Sequence, residues 1–249
     1  MAVLLDASTP AKATGTATTV TTLSFTPPSG SLITLCYMAN DGTGTTDVKA
    51  SAMANTGTAI TWARTVSKGL WTGSLGGAGQ PGVSEIWTGV GTGGAITCTA
   101  TGVGTGTGSE KMLKALVWTG ADTTTFNVAA AASASTAGVF PSATLASALA
   151  GSFGLAASSD WAQKGLGTAG TGQTIVDENN VSGQITEHVW RLTSALGANG
   201  SQTMNLTAPT LQQFNIVAME IRASGGAASP NPRPPQAIYR QAAMRAAIF

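Results

Sequence analysis

The chain has 249 residues, of which 9% are charged, with one His, two Cys and a formal net charge of +1. An ordinary globular domain carries roughly 25% charged residues. So little charge excludes a chain kept unfolded by self-repulsion, and it excludes a nucleic-acid surface, which needs a dense basic patch interleaved with stacking aromatics. No run approaches the ~20 apolar residues of a membrane helix, so no membrane partner is expected. The opening MAVLLDASTPAKA has neither the basic segment nor the apolar length of a secretion signal.

Apolar residues recur with period two along residues 1–223, and helical spacing is nearly absent. Val20, Leu23 and Phe25 precede the turn signal Pro27-Pro28-Ser29-Gly30. Ser31 to Asn40, SLITLCYMAN, is almost continuously apolar and predicts a central strand covered on both faces, ending at the turn pair Asp41-Gly42. Ile60, Trp62, Arg64 and Val66 alternate. Val83 to Val90 and Ala95 to Ala100 predict a hairpin joined by Gly91-Thr92-Gly93-Gly94. Lys111 to Thr119, KMLKALVWT, predicts a further core strand. Ala129 to Ala137 has no apolar face and predicts loop or edge structure. Ser147 to Ser158, Gln184 to Leu192, Gln202 to Thr207 and Gln212 to Arg222 predict the strands of the second part.

The two parts look related. EIWTGVGTGGAITCTATG in the first resembles HVWRLTSALGANGSQTMNLTAP in the second, and KALVWTGAD resembles IVAMEIRAS. Trp87 to Trp190 is a step of 103 residues, and Val117 to Met219 a step of 102, as an internal duplication produces. The expected fold is all-β: a jelly-roll-like β-sandwich from two duplicated halves, about 1–122 and 140–223, carrying an extended C-terminal arm. One sandwich is favoured over two in tandem, because no linker separates the halves. Gly occupies 32 positions, about twice the usual share of roughly 7%. Such loops cost conformational entropy that contacts with neighbouring molecules would offset.

Chemistry-bearing residues are sparse. Cys36 and Cys98 lie in predicted strands and are expected as buried free thiols. His188 is expected as a surface or half-buried strand residue, without a catalytic role. DGTGTTD (Asp41 to Asp47) and DENN (Asp177 to Asn180) lack the spacing of a calcium loop and are expected as turns at loop tips; no metal or cofactor is expected. Glu85, Glu187 and Glu220, all on predicted strands, are the carboxylates a glycoside hydrolase would pair. Glu85 and Glu187 fall at near-equivalent places of the repeat, so they are not expected to face one cleft, and no enzymatic activity is expected. Trp62, Trp87, Trp118 and Trp190 sit at strand positions and are expected to pack, whereas Trp71 and Trp161 fall in loops and are the candidate ligand-binding aromatics.

Residues 224–249 differ from the rest. They hold Arg233, Arg240 and Arg245 and no acid, whereas residues 1–223 hold nine Lys/Arg and eleven Asp/Glu. Pro230, Pro232, Pro234 and Pro235 favour an extended, semi-rigid strap. Beyond it Ile238, Tyr239, Met244, Ile248 and Phe249 are candidate anchors, with Arg240 and Arg245 at the rim. A stiff strap with a hydrophobic end suits docking to a partner, because it loses less entropy on binding.

The EIWTGV, AITCTATG and KALVWTG series, the Gly/Thr/Ala-rich loops and the terminal IYRQAAMRAAIF together resemble structural proteins of tailed bacteriophages of high-GC bacteria, of the minor tail or capsid-decoration type. The resemblance implies a non-enzymatic virion protein, tail-associated rather than head-associated, assembled in the host cytoplasm with other virion proteins and copies of itself. The alternatives are a head or decoration protein and a sandwich that binds a host-surface glycan.

Overall fold

The computed structural model describes residues 1–40, 48–69, 82–102, 110–133, 140–160, 165–181, 185–208, 210 and 214–225. These residues form strands and turns only, and every sheet is antiparallel. The first half contains β1 (Leu4–Leu5), β2 (Ala13–Gly15), β3 (Thr19–Thr21), β4 (Leu32–Asn40), β5 (Ala50–Asn55), β6 (Ala63–Gly69), β7 (Gly82–Val90), β8 (Cys98–Gly102) and β9 (Lys111–Thr119). The second contains β10 (Val128–Ser133), β11 (Ser142–Ala148), β12 (Phe153–Asp160), β13 (Thr168–Ala169), β14 (Gln173–Val181), β15 (Ile185–Leu192), β16 (Gly200–Ala208) and β17 (Phe214–Ile221).

Each half builds its own large and small sheet. In the first, β9-β4-β7-β6 is extended beyond β9 by β1 and β2, and β3-β8-β5 forms the small sheet. In the second, the orders are β10-β17-β12-β15-β14 and β11-β16-β13. Adding eight to each label turns β2-β9-β4-β7-β6 and β3-β8-β5 into the second half's sheets. Register agrees as well. Leu35 stands opposite Trp87 and Ala115, and Ala156 opposite Trp190 and Ala218. Both steps, Trp87 to Trp190 and Ala115 to Ala218, are therefore 103 residues. The ladder of β6 skips Thr65, and that of β14 skips Val176, at the same place relative to the two Trp residues. A shared bulge is a family-like feature of a strand pair, so the duplication is structural. The step of 102 from Val117 to Met219 needs correction: Val117 matches Glu220. A slip of one residue exchanges the faces of a strand, and Val117 and Met219 do lie in different cores.

The sheets stack as small, large, large, small, with three cores between them. One core, with Ile33, Leu35, Val83 and Trp87, lies inside the first half; another, with Leu145, Trp190, Met204 and Ile216, lies inside the second. The third fills the seam where the two large sheets meet, with Leu32, Met38, Leu116 and Trp118 against Leu155, Val189, Val217 and Met219. Trp118 and Phe153 pack across it with ring centroids 6.1 Å apart. This stacking explains the hydropathy pattern. The large sheets are covered on both faces, so β4 is buried at every position and reads as a continuous apolar run. The small sheets are covered on one face, so β8 alternates.

Three local expectations change. β7 and β8 are not a hairpin: Gly91 to Gly94 carry the chain from the large sheet to the small one. Gly91 packs so tightly that a Cβ would lie 2.6 Å from the Pro28 carbonyl oxygen. Ser147 to Ser158 is two strands, β11 and β12, broken where Gly151 adopts φ +82°; small residues on both sides hid the break. DENN lies within strand β14 rather than at a loop tip. Val128–Ser133 is an edge strand on β17, overlapping the loop-or-edge segment expected over residues 129–137.

Candidate functional site

Trp71, Trp161, the Asp41 to Asp47 segment and the arm residues Pro234, Pro235, Ile238, Tyr239, Arg240, Met244, Arg245, Ile248 and Phe249 lie outside the described residues. The four remaining Trp residues are all held by packing and a bonded indole. Trp62 donates to Asn55 Oδ1 (3.2 Å), Trp87 to Glu85 Oε2 (2.8 Å), Trp118 to Thr34 Oγ1 (3.0 Å) and Trp190 to Gln173 Oε1 (2.9 Å). Cys36 and Cys98 are buried free thiols, as expected, and burial pushes both thiols up to about 12.

The three strand carboxylates are buried, one beside each core. Glu85 shares the face of Trp87 inside the first half. It accepts the Trp87 indole and the Ser67 hydroxyl (3.1 Å), and pairs with Arg64 Nε at 3.2 Å. The Arg64 guanidinium also lies 4.7 Å from the Trp87 ring centroid. Burial raises the Glu85 carboxyl above its ordinary range, against the Trp87 bond, Arg64 and Ser67. Glu187 shares the face of Val189 and points into the seam, where Asn179 donates to its Oε2 at 2.8 Å. Burial pushes Glu187 up to about 8; the Asn179 bond opposes this, Glu110 adds to it, and Lys111 and Lys12 oppose it. Glu220 shares the face of Ala218 inside the second half and accepts the Leu149 N–H (2.6 Å) and Arg222 Nε (3.0 Å). No two of these carboxylates flank a common cleft.

The seam holds the densest set of charges described. Asp177 of β14 receives Lys12 Nζ at 3.2 Å and Lys114 Nζ at 3.1 Å. Lys114 also donates to the Pro10 carbonyl (2.8 Å), and Lys12 to that of Glu178. Elsewhere in the seam, Ser84 donates to the Asn215 carbonyl (3.1 Å) and Asn215 Nδ2 to the Gly82 carbonyl (2.6 Å). Apart from the Lys114–Pro10 bond, which lies within the first half, these bonds fasten the halves together. The signal in the sequence is a lysine at position 114 with apolar residues on both sides of it in a core strand, because buried charges are paired charges.

At one end of the seam lies a cleft of about 910 Å³, lined among others by Ser29, Thr119, Asp122, Leu149, Arg222 and Gly225. Burial raises the Asp122 carboxyl, but the hydrogen bonds from Thr124 and Thr125 together outweigh this and hold it below its ordinary range. Among the described residues no three His, Cys, Asp or Glu side chains gather as metal ligands.

Comparison with known proteins finds no match to any family model, any curated protein or any solved structure.

Proposed function

We propose that this chain is a non-enzymatic structural protein of a virion, tail-associated in the manner of a phage minor tail protein. It assembles through neutral sheet faces and its C-terminal arm with other virion proteins and copies of itself. The observation that carries this reading is the character of the outer sheets. None of the six strands that form them (β3, β5, β8, β11, β13 and β16) contains a charged residue. Their solvent sides are tiled with small neutral residues, mostly Thr, Ser and Ala, and threonine hydroxyls pair across strands at Thr21–Thr99 (2.9 Å) and Thr144–Thr203 (3.0 Å). A free protein gains solubility from surface charge. Two neutral faces at opposite ends of a four-layer stack suit packing between subunits instead. We read each half as a jelly roll in which one strand, β6 or β14, has moved from the small sheet to the edge of the large one.

Incorporation into the particle tests the proposal. Deleting residues 230–249 leaves a folded body that no longer joins the virion, and locating the full chain by electron microscopy of the particle separates tail from head. Unimpaired incorporation of the truncated chain, or its failure to fold, counts against the arm. The cleft between the halves supports a second reading, a module that binds a host-surface glycan, since Asp122, Arg222 and several hydroxyls converge there. Binding on a glycan array that Asp122→Ala abolishes would favour it.

A further inference from the structure

The duplication supplies its own control, because equivalent positions share one fold and differ in side chain. By register, Tyr37 and Ala39 of β4 match Ser158 and Asp160 of β12, and Val83 and Glu85 of β7 match Thr186 and His188 of β15. Tyr37, Ala39 and Val83 help fill the first half's core. Their counterparts in the second half are polar and fully buried. His188 Nδ1 lies 2.8 Å from Glu178 Oε1, which also accepts the Gly167 N–H at 2.5 Å. A carboxylate paired to Nδ1 makes that nitrogen the donor, and in the neutral imidazole this leaves Nε2 as an acceptor. Yet His188 Nε2, Ser158 Oγ and Thr186 Oγ1 have no protein partner, although each is sealed from bulk solvent. Ser158 and His188 are directly paired across β12 and β15, and Thr186 follows two residues along the same face.

We propose that this end of the second half encloses an internal hydration site, whose ordered water bridges His188 Nε2, Ser158 and Thr186. Buried polar groups are bonded almost without exception, and where protein gives no partner, water does. The chemistry matches: water donates to the histidine acceptor and exchanges hydrogen bonds with two hydroxyls. Replacing the phenol of Tyr37 with the hydroxymethyl of Ser158 removes more side-chain volume than the changes from Ala39 to Asp160 and from Glu85 to His188 add, which leaves room for the ~10–15 Å³ one water requires. The order Ser158, His188, Glu178 is also that of a hydrolytic relay. Both Ser158 and His188 are fully buried, however, and Ser158 Oγ makes no bond to Nε2, so the arrangement takes in water and not an ester. The inference is independent of the proposed assembly role.

The sign of a stability change tests it. In Thr186→Val, the matching residue of the first half replaces the hydroxyl with a methyl. If water bridges the site, the variant strands that water and its other partners, and Tm falls by a few degrees. If the site is dry, the same change removes an unbonded hydroxyl, and Tm stays or rises, which overturns the proposal. Val83→Thr in the first half lowers Tm as the matched control. Should Thr186→Val fail to fold, a high-resolution crystal structure of the unaltered chain decides. Water within hydrogen-bonding distance of His188 Nε2 and one of the two hydroxyls upholds the site; an empty site, a metal ion or a protein partner there refutes it. Labelling of Ser158 by a fluorophosphonate would likewise overturn it, by showing that the site opens to esters.

Discussion

Lys114 and Asp177 meet at 3.1 Å although they belong to different halves, one on β9 and the other on β14. Lys114 is nearly buried, and Asp177 also holds the more exposed Lys12. Removing the shared acid strands a buried ammonium, whereas removing Lys12 takes away a partly exposed partner. Asp177→Asn should therefore cost about 2 kcal/mol, between the values for exposed and fully buried pairs, and Lys12→Met less than about 1 kcal/mol. Chemical denaturation of the two variants measures both. Equal losses would show that Lys114 contributes no more than a surface charge.

Glu187 gives the fold a pH dependence of definite sign. Its folded-state carboxyl is raised to about 8, with burial as the chief cause. Between the ordinary carboxylate range and pH 8 the folded chain therefore binds a proton that the unfolded chain has lost, and stability falls as pH rises. This contribution is complete below the unfolded pKa and gone once pH has passed the folded one. The raised carboxyl of Glu85 adds a trend of the same sign. Glu187→Gln keeps the shape and removes the titration, so Tm plotted from pH 5 to 8 should be flatter in the variant. An unchanged slope would place the proton elsewhere.

How much of this was legible in the sequence follows from what period-two patterning reports. Leu32–Asn40 and Lys111–Thr119 stood out because both of their faces are covered by apolar layers. β14 did not, because its face toward the seam is lined with Asp177 and Asn179 in place of aliphatic residues, and such residues imitate a turn. The repeat was visible through Trp87 and Trp190, which sit in the same register against β4 and β12. Its stacking was not, because hydropathy shows that a strand is covered and not which sheet covers it. The buried polar set around His188 was hidden for a related reason: Ser158, Glu178 and His188 are scattered in the chain and meet only where β12, β15 and β14 lie side by side.

The two thiols report on unfolding. Cys36 and Cys98 lie in separate cores with no exposed surface, and burial raises both thiols to about 12. Thiolate is the reactive form, so near pH 8 the native chain should resist iodoacetamide for as long as it stays folded. Mass spectrometry along a denaturant series should show both cysteines alkylated in step with the change in the chain's tryptophan fluorescence, to which the buried Trp118 and Trp190 contribute. Early modification of Cys98 alone would mean that the first half's small sheet opens separately.

Gly120 stands where the chain leaves β9 for the second half, at φ +69° and against the Ala2 backbone carbonyl. Its own carbonyl accepts the Ser224 N–H (2.7 Å), while the Met1 ammonium donates to the Ser224 carbonyl (3.2 Å). One residue thus gathers the first strand, the crossing between halves and the end of β17. A methyl group at this position meets both a left-handed backbone and a backbone oxygen that cannot swing aside. Gly120→Ala should cost more than the ~1 kcal/mol of ordinary left-handed strain, on the order of 2–3 kcal/mol. Gly151→Ala shares the positive φ but has open space around it, so it should show the strain alone. Equal losses in the two variants, measured by thermal unfolding, would mean that the Ala2 contact adds nothing and that the N-terminal strand yields without cost.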